Sequence, residues 1–218
     1  MLRVIPILIA CLMAAPAAAC ETALLLAIDV SGSISMDEYY LQMNGLADAL
    51  EDPDIVKALI EGQDALALVQ WSGDRFQQLS LPWQHLRSTD QAAAFADAVR
   101  STKRPPDFTD TAIGNAILFS LVQFPAAPRC VRTVIDLSGD GEENDGMTLP
   151  KARVAAEQAG IILNGLAIEI DANHSQLTEY FRTRVISYDG FVMTARGIQD
   201  YPRAIQAKLL RELTKALY

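Results

Sequence analysis

Ala23-Leu24-Leu25-Leu26-Ala27-Ile28-Asp29-Val30-Ser31-Gly32-Ser33 is the stretch on which the fold turns. From Ala23 to Val30 it is almost continuously apolar, and Asp29 is its only charge. A strand with one face toward water alternates apolar and polar residues; one without alternation needs cover on both faces. The run therefore predicts a central strand with helices on both sides. Asp29 and the Ser-Gly-Ser that follows fall where that strand ends.

Working outward, short apolar runs alternate with helical patterns. Ser35 to Leu50 predicts a helix, with Ser35 as N-cap and Glu38 completing a capping box. Ala65 to Trp71 is a second apolar strand. Ser72-Gly73-Asp74 forms a turn, and the more polar Phe76 to Trp83 returns as a hairpin partner, an antiparallel strand at the sheet edge. Thr89 caps an alanine-rich helix to about Ser101, and Pro105-Pro106 breaks the chain before a helix from Thr111 to Phe124. Then come a strand (Val131 to Leu137), a helix (Leu149 to Ala159, stopped by Gly160) and a strand (Ile161 to Ile170). A helix (Ser175 to Val185), a short strand (Phe191 to Ala195) and an amphipathic helix (Ile198 to about Ala216) complete the order. The expected class is α/β: a doubly wound, mostly parallel, Rossmann-like sheet with one antiparallel edge strand and helices on both faces. No repeat or long linker divides it.

Residues 1–19 read as a signal peptide. Arg3 precedes a short apolar stretch from Val4 to Ala15, and Ala17-Ala18-Ala19 offers the small residues of a cleavage site. The stretch is shorter than the roughly 20 residues of a spanning helix, and no later segment is long and apolar enough to span a bilayer. The expected product is one domain, residues 20–218, periplasmic or secreted. Its composition, 50% hydrophobic and 21% charged, is that of a folded domain rather than a disordered chain. Cleavage after Ala19 removes only Arg3, leaving 17 basic against 27 acidic side chains and a net charge of −10. A surface that acidic repels phosphate backbones, so nucleic acid is not an expected partner, whereas cations are drawn to it.

Three loops carry the candidate chemistry: Asp29-Val30-Ser31-Gly32-Ser33, Phe108-Thr109-Asp110-Thr111 and Ser138-Gly139-Asp140-Gly141. In a parallel sheet, loops after the carboxyl ends of strands converge on ligand sites. Carboxylate and hydroxyl oxygens suit a hard divalent cation; thiolate and imidazole suit softer ones. An isolated Asp-x-Ser-x-Ser is as readily a helix entry turn. Three such parts in order point to a metal. Asp136 reads as a buried structural carboxylate or as support for the site, and Glu142, Glu143, Asn144 and Asp145 as a solvated charged loop or a selectivity element. His85 and His174 lack ligand spacing and read as surface or loop residues, while Trp71, Trp83, Phe76 and Phe95 read as core.

At these residues the chain resembles a von Willebrand factor A domain with a metal-ion-dependent adhesion site. The run Val134-Ile135-Asp136-Leu137-Ser138-Gly139-Asp140-Gly141 is similar in particular to exported bacterial A-domain proteins. Asp29, Ser31 and Ser33 match the family's Asp-x-Ser-x-Ser, Thr109 its distant Thr (Thr111 being the alternative), and Asp140-Gly141 its later Asp-Gly. Gly139 stands where the family usually has Thr. The resemblance implies that Ser31, Ser33 and Thr109 contact a divalent cation directly, with the two Asp residues often acting through water. It implies Mg²⁺ first, with Mn²⁺ or Ca²⁺ as alternatives, and a protein partner that offers an acidic residue to the ion. The family's strand order makes the strands bearing Cys20 and Cys130 parallel neighbours, which implies a disulfide between them in an oxidising compartment. A lipidated or trimmed Cys20, leaving Cys130 free, is the alternative.

No enzyme is expected. A phosphatase of the haloacid-dehalogenase kind needs a second carboxylate where Ser31 stands, and no Gly-x-Ser-x-Gly elbow occurs. A metal-dependent hydrolase of phosphates or esters and a scaffold with a degenerate site remain the alternatives to a binding module.

Overall fold

The computed structural model describes residues 20–105, 109–170 and 176–214. Six strands form one sheet: β1 (Cys20–Asp29), β2 (Ala65–Trp71), β3 (Gln77–His85), β4 (Cys130–Gly139), β5 (Ile162–Glu169) and β6 (Val192–Arg196). Their order is β3-β2-β1-β4-β5-β6, and only β3 runs antiparallel, at one edge. The chain leaves β1 toward β2 on one side and leaves β4 toward β5 on the other. The β1/β4 boundary is thus the switch point of the sheet, where the loops part and a crevice opens.

The unbroken apolar run of β1 supplies both cores. Leu24, Leu26 and Ile28 face α1 (Met36–Leu50), α2 (Pro53–Gly62), α3 (Thr89–Ser101) and α7 (Tyr201–Leu213); Leu25 and Ala27 face α4 (Ile113–Leu121), α5 (Leu149–Gln158) and the segment of α6 (Gln176–Tyr180) with its following π turn, Phe181–Val185. This is the doubly wound arrangement expected of a strand covered on both faces. Three local expectations change. Ser88, not Thr89, caps α3, its Oγ accepting from Gln91 N at 3.3 Å. The helix expected to run to Phe124 ends at Leu121, and Pro125 lies in the short 3₁₀ turn that follows. α2 was not expected at all, although Asp52 caps it and Pro53 opens it.

The N-termini of α4 and α5 have no side-chain cap of their own. One carboxylate serves both: Glu143 Oε1 accepts from Gly114 N at 2.9 Å and Oε2 from Leu149 N at 3.3 Å. The two helix dipoles converge on that negative charge. Gly114 permits the approach, since a Cβ there would lie 2.3 Å from Leu149 N. The acidic loop is therefore structural rather than a free solvated run. Asn144 Oδ1 accepts from Thr111 N at 2.8 Å and Asp145 Oδ2 from Asp74 N at 2.6 Å.

Below the sheet's centre, Asp136 is buried and ion-paired with Lys208, which also meets Glu212 at 2.8 Å; all three are fully enclosed. Asn164 Nδ2 donates to Glu212 at 2.8 Å. Burial opposes the charge on Lys208, but Asp136 and Glu212 outweigh it and hold the amine above its ordinary value. At the amino edge Cys20 and Cys130 are register partners, 4.4 Å apart at Cα, and are joined by a disulfide. The resemblance pointed to this pair; a lipidated Cys20 would be incompatible with it.

Three outcomes are expected. Intact protein denatured without reductant exposes no Cys20 or Cys130 thiol, and the paired serine variant loses up to about 4–5 kcal/mol of stability; two free thiols in oxidised material would overturn the pairing. Glu143→Ala costs about 1–2 kcal/mol, as loss of a cap does, and Glu143→Gln costs less; equal unfolding midpoints for Glu143→Ala and wild type would refute the shared cap. The third outcome concerns Asp64, buried at the end of α2, whose Oδ1 accepts from Thr22 N at 2.7 Å. Burial pushes its carboxyl up from 3.8 to about 7, with Glu21 adding and Thr22 N and Arg132 opposing. Between these values the folded state holds a proton that the unfolded chain releases. The contribution is full below the unfolded value and is lost as pH rises through about 7. The melting temperature of Asp64→Asn relative to wild type should therefore climb as pH rises over that window, and parallel curves would show that Asp64 does not titrate there.

Candidate metal centre

Asp29 is the last residue of β1 and Asp140 follows the last of β4, so neighbouring strands deliver both carboxylates to the switch-point crevice. Asp29 Oδ1 accepts from Ser31 N at 2.7 Å, which curls the turn after β1. Ser31 Oγ lies 3.1 Å from Ser33 Oγ, and Ser33 Oγ donates to Asp140 Oδ1 at 2.7 Å. Asp29, Ser31, Ser33 and Asp140 thus form one chain of oxygens bridging the ends of β1 and β4. Gly139 keeps its floor thin: a Cβ there would lie 3.2 Å from Asp29 Oδ2.

Thr109 reaches the turn through its backbone, its carbonyl accepting from Gly32 N at 3.3 Å. Its hydroxyl donates to Asp110 Oδ2 at 2.9 Å. Thr111, the alternative, is buried and held by Asn144. Phe108 lies outside the described residues. Arg104, which sequence reasoning missed, donates from Nη2 to Val30 O at 3.0 Å and Ser31 O at 2.8 Å, pinning the turn from outside. A lone arginine in a loop carries no motif that could have announced it.

The site's charge is unbalanced. Burial first, and then the repulsion of Asp140, push the Asp29 carboxyl up to about 7, against the opposing bonds from Ser31 and from the Asp140 backbone. Burial also raises Asp140, against the Ser33 hydroxyl and with a small push from Glu38. Asp29 Oδ2 and Asp140 Oδ2 are both enclosed without a hydrogen-bond partner among the described residues. Buried acceptors without donors cost free energy, and a cation shared between them would remove that cost. Among the described residues no three His, Cys, Asp or Glu side chains are grouped to hold a metal. The donors here are two carboxylates with hydroxyls, which fit a hard divalent ion completed by water or an outside ligand.

The remaining candidates fall elsewhere. Asp136 belongs to the ion cluster under α7 and not to the crevice. His85 ends β3 opposite Ala65, at the far edge of the sheet, with Nδ1 2.8 Å from Arg87 Nη2; His174 lies outside the described residues. Trp71 and Phe95 are buried core, whereas Phe76 and Trp83 are only partly buried, Trp83 packing on Phe124 with ring centroids 5.2 Å apart.

Residues 19–217 match the model of the family described as a protein of unknown function, DUF1194. No curated protein matches the chain. Among solved structures, a von Willebrand factor type A protein from Catenulispora acidiphila superposes with a TM-score of 0.65 at 15% identity, covering 90% of this chain and 44% of that one. Proximal thread matrix protein 1 from the mussel byssus, in a form with a zinc-occupied MIDAS motif, gives 0.63 at 18% identity over 90% and 46%. The conserved hypothetical protein BatB from Bacteroides thetaiotaomicron gives 0.56 at 17% over 90% and 100%. The chain spans less than half the length of the first two, and likeness at these identities is likeness of fold. On the match to its full described length and on this architecture, the chain belongs to the DUF1194 family and has the von Willebrand factor A fold.

Proposed function

We propose that this chain is an exported binding module that uses a divalent cation, Mg²⁺ first among candidates, to grip an acidic group of a protein partner. The observation that carries this reading is the pair of enclosed, donor-less oxygens, Asp29 Oδ2 and Asp140 Oδ2, at the two ends of a serine-hydroxyl bridge. Asp29, Ser31, Ser33, Thr109 and Asp140 would hold the ion, directly or through water, and the ion would supply an open position for a carboxylate oxygen. The zinc-occupied motif of the mussel protein supports a divalent ion in this fold without choosing the metal. Residues 1–19 would direct export as a cleaved signal, leaving residues 20–218 as the mature domain in the periplasm or outside the cell. Among the described residues no helix is long and apolar enough to cross a membrane.

Binding is favoured over hydrolysis by the surroundings of the serines. Their hydroxyl partners are each other and Asp140, and the one described imidazole, His85, is at the opposite edge. Among the described residues no imidazole stands beside either hydroxyl, as a Ser–His nucleophile would need.

Metal should stabilise the stripped domain by about 2.7 kcal/mol at ~100 times its dissociation constant, a melting shift of roughly 5–10 °C. Ser33→Ala and Asp29→Ala should lose most of that shift. Capture of a partner from an extract of exported proteins should need Mg²⁺, fail with EDTA, and weaken in Thr109→Ala and Asp140→Ala. Identical melting with Mg²⁺ and with EDTA would sink the metal reading, and turnover of a phosphate or ester substrate would favour the hydrolase.

A further inference from the structure

The ion cluster under α7 plays no part in the metal centre, and its members are chemically matched to react with one another. Asp136 stands in β4 between Leu26 of β1 and Asn164 of β5. Its Oδ1 meets Lys208 Nζ, and Glu212 Oε1 lies 2.8 Å from the same nitrogen. Lys208 and Glu212 are one turn apart on α7, so the helix presents both to the strand together. Asn164 Nδ2 holds Glu212 Oε1 at 2.8 Å. The Phe191 ring lies 5.3 Å from Nζ, with the Arg211 guanidinium 3.9 Å from the same ring. The three ionisable side chains are at most 1% exposed, and Leu26, Val134, Ile205 and Leu209 belong to the core on this side of the sheet. An ammonium between two carboxylates leaves one negative charge in excess. Asp136 Oδ2 and Glu212 Oε2 have no hydrogen-bond partner among the described residues, and enclosed charges so poorly satisfied are costly. Burial first, and then the Glu212 charge, favour the protonated acid of Asp136 over the pull of Lys208.

We propose that Lys208 and Asp136 condense to an amide, a covalent cross-link between α7 and β4, with Glu212 moving the protons. The ion cluster is the state before reaction. With Asp136 as the acid, Lys208 passes one ammonium proton to Glu212 across 2.8 Å, and the electron pair of the freed amine attacks Asp136 Cγ. A C–N bond forms. Glu212 then gives its proton to the departing hydroxyl and takes the surplus proton from nitrogen, so the C–O bond breaks and water leaves. Amide, water and protonated Glu212 carry the same atoms and the same zero net charge as the ammonium, acid and carboxylate they came from. No oxidant, metal or cofactor enters. The contact held by the fold replaces the encounter that a free amine and acid would need. The product exchanges two buried ionisable groups for one neutral link, and it does not depend on the metal reading.

The test is the mass of the chain, purified folded and then reduced and denatured. Wild-type protein should be about 18 Da lighter than its sequence requires, the mass of the one water lost in forming the amide. Trypsin should yield residues 133–151 joined to residues 204–211, with the bond after Lys208 uncut. Glu212→Gln keeps the shape of the cluster but cannot relay protons, and the folded variant should keep its full mass. A wild-type chain of full mass, with these peptides separate, overturns the cross-link whatever the variant does. So does a water loss carried by residues 133–151 alone, as cyclisation at Asp145-Gly146 would give. Condensation in Glu212→Gln as complete as in wild type overturns the role given to Glu212.

Discussion

The parallel pairing of β1 with β4 is the constraint on which the rest depends. Register runs without slip from Cys20 opposite Cys130 to Ile28 opposite Ser138. A shift by one residue would turn every side chain of β1 to the wrong core and part Asp29 from Asp140. Because connections depart in opposite directions from these two strands, the pairing also opens the crevice in which both carboxylates stand. Fold and site are consequences of one set of backbone hydrogen bonds.

Two carboxylates on these strands meet the same problem in different ways. Asp29 and Asp136 are both buried, and burial pushes both up to about 7. Asp136 has a cation supplied by the chain, Lys208, enclosed with it under α7. Asp29 has a second carboxylate for a neighbour and an oxygen with no donor among the described residues. Removing one member of a buried pair is costly because the other charge is left uncompensated. Among the described residues no side chain at the crevice does for Asp29 and Asp140 what Lys208 does for Asp136, and this is the physical ground for looking outside the chain for the missing charge.

Much of this was legible in the sequence because it is written in local patterns. Predominantly apolar runs mark β1, β2, β4 and β5, the more polar run after Ser72 marks the edge strand, and the Ser35/Glu38 capping box is realised with both of its bonds. The three loops of the candidate site could be found because strand ends of a parallel sheet converge, whatever the distance in sequence. The illegible parts depend on tertiary proximity. Glu143 looks like one of several acids in a loop, and only the approach of α4 to α5 makes it a shared cap. Arg104 and Lys208 act on partners 73 and 72 residues away, at Ser31 and Asp136, and no local pattern encodes that reach. α2 carries its own local signals, the Asp52-Pro53 start and the spacing of Ile55, Val56, Leu59 and Ile60 on one face, so its absence from the expected order is a missed reading rather than a silent sequence.

The disulfide has a topological consequence of its own. Cys20 and Cys130 enclose β2, β3 and the first four helices in a covalent ring. A proteolytic cut anywhere inside that ring, such as in the loop between α3 and α4, opens it without releasing a fragment. Asp29 would then belong to one piece and Asp140 to the other, yet the pieces stay bolted together at the foot of the two strands that end in those carboxylates. The crevice is thus insured against cleavage from the far edge of the sheet.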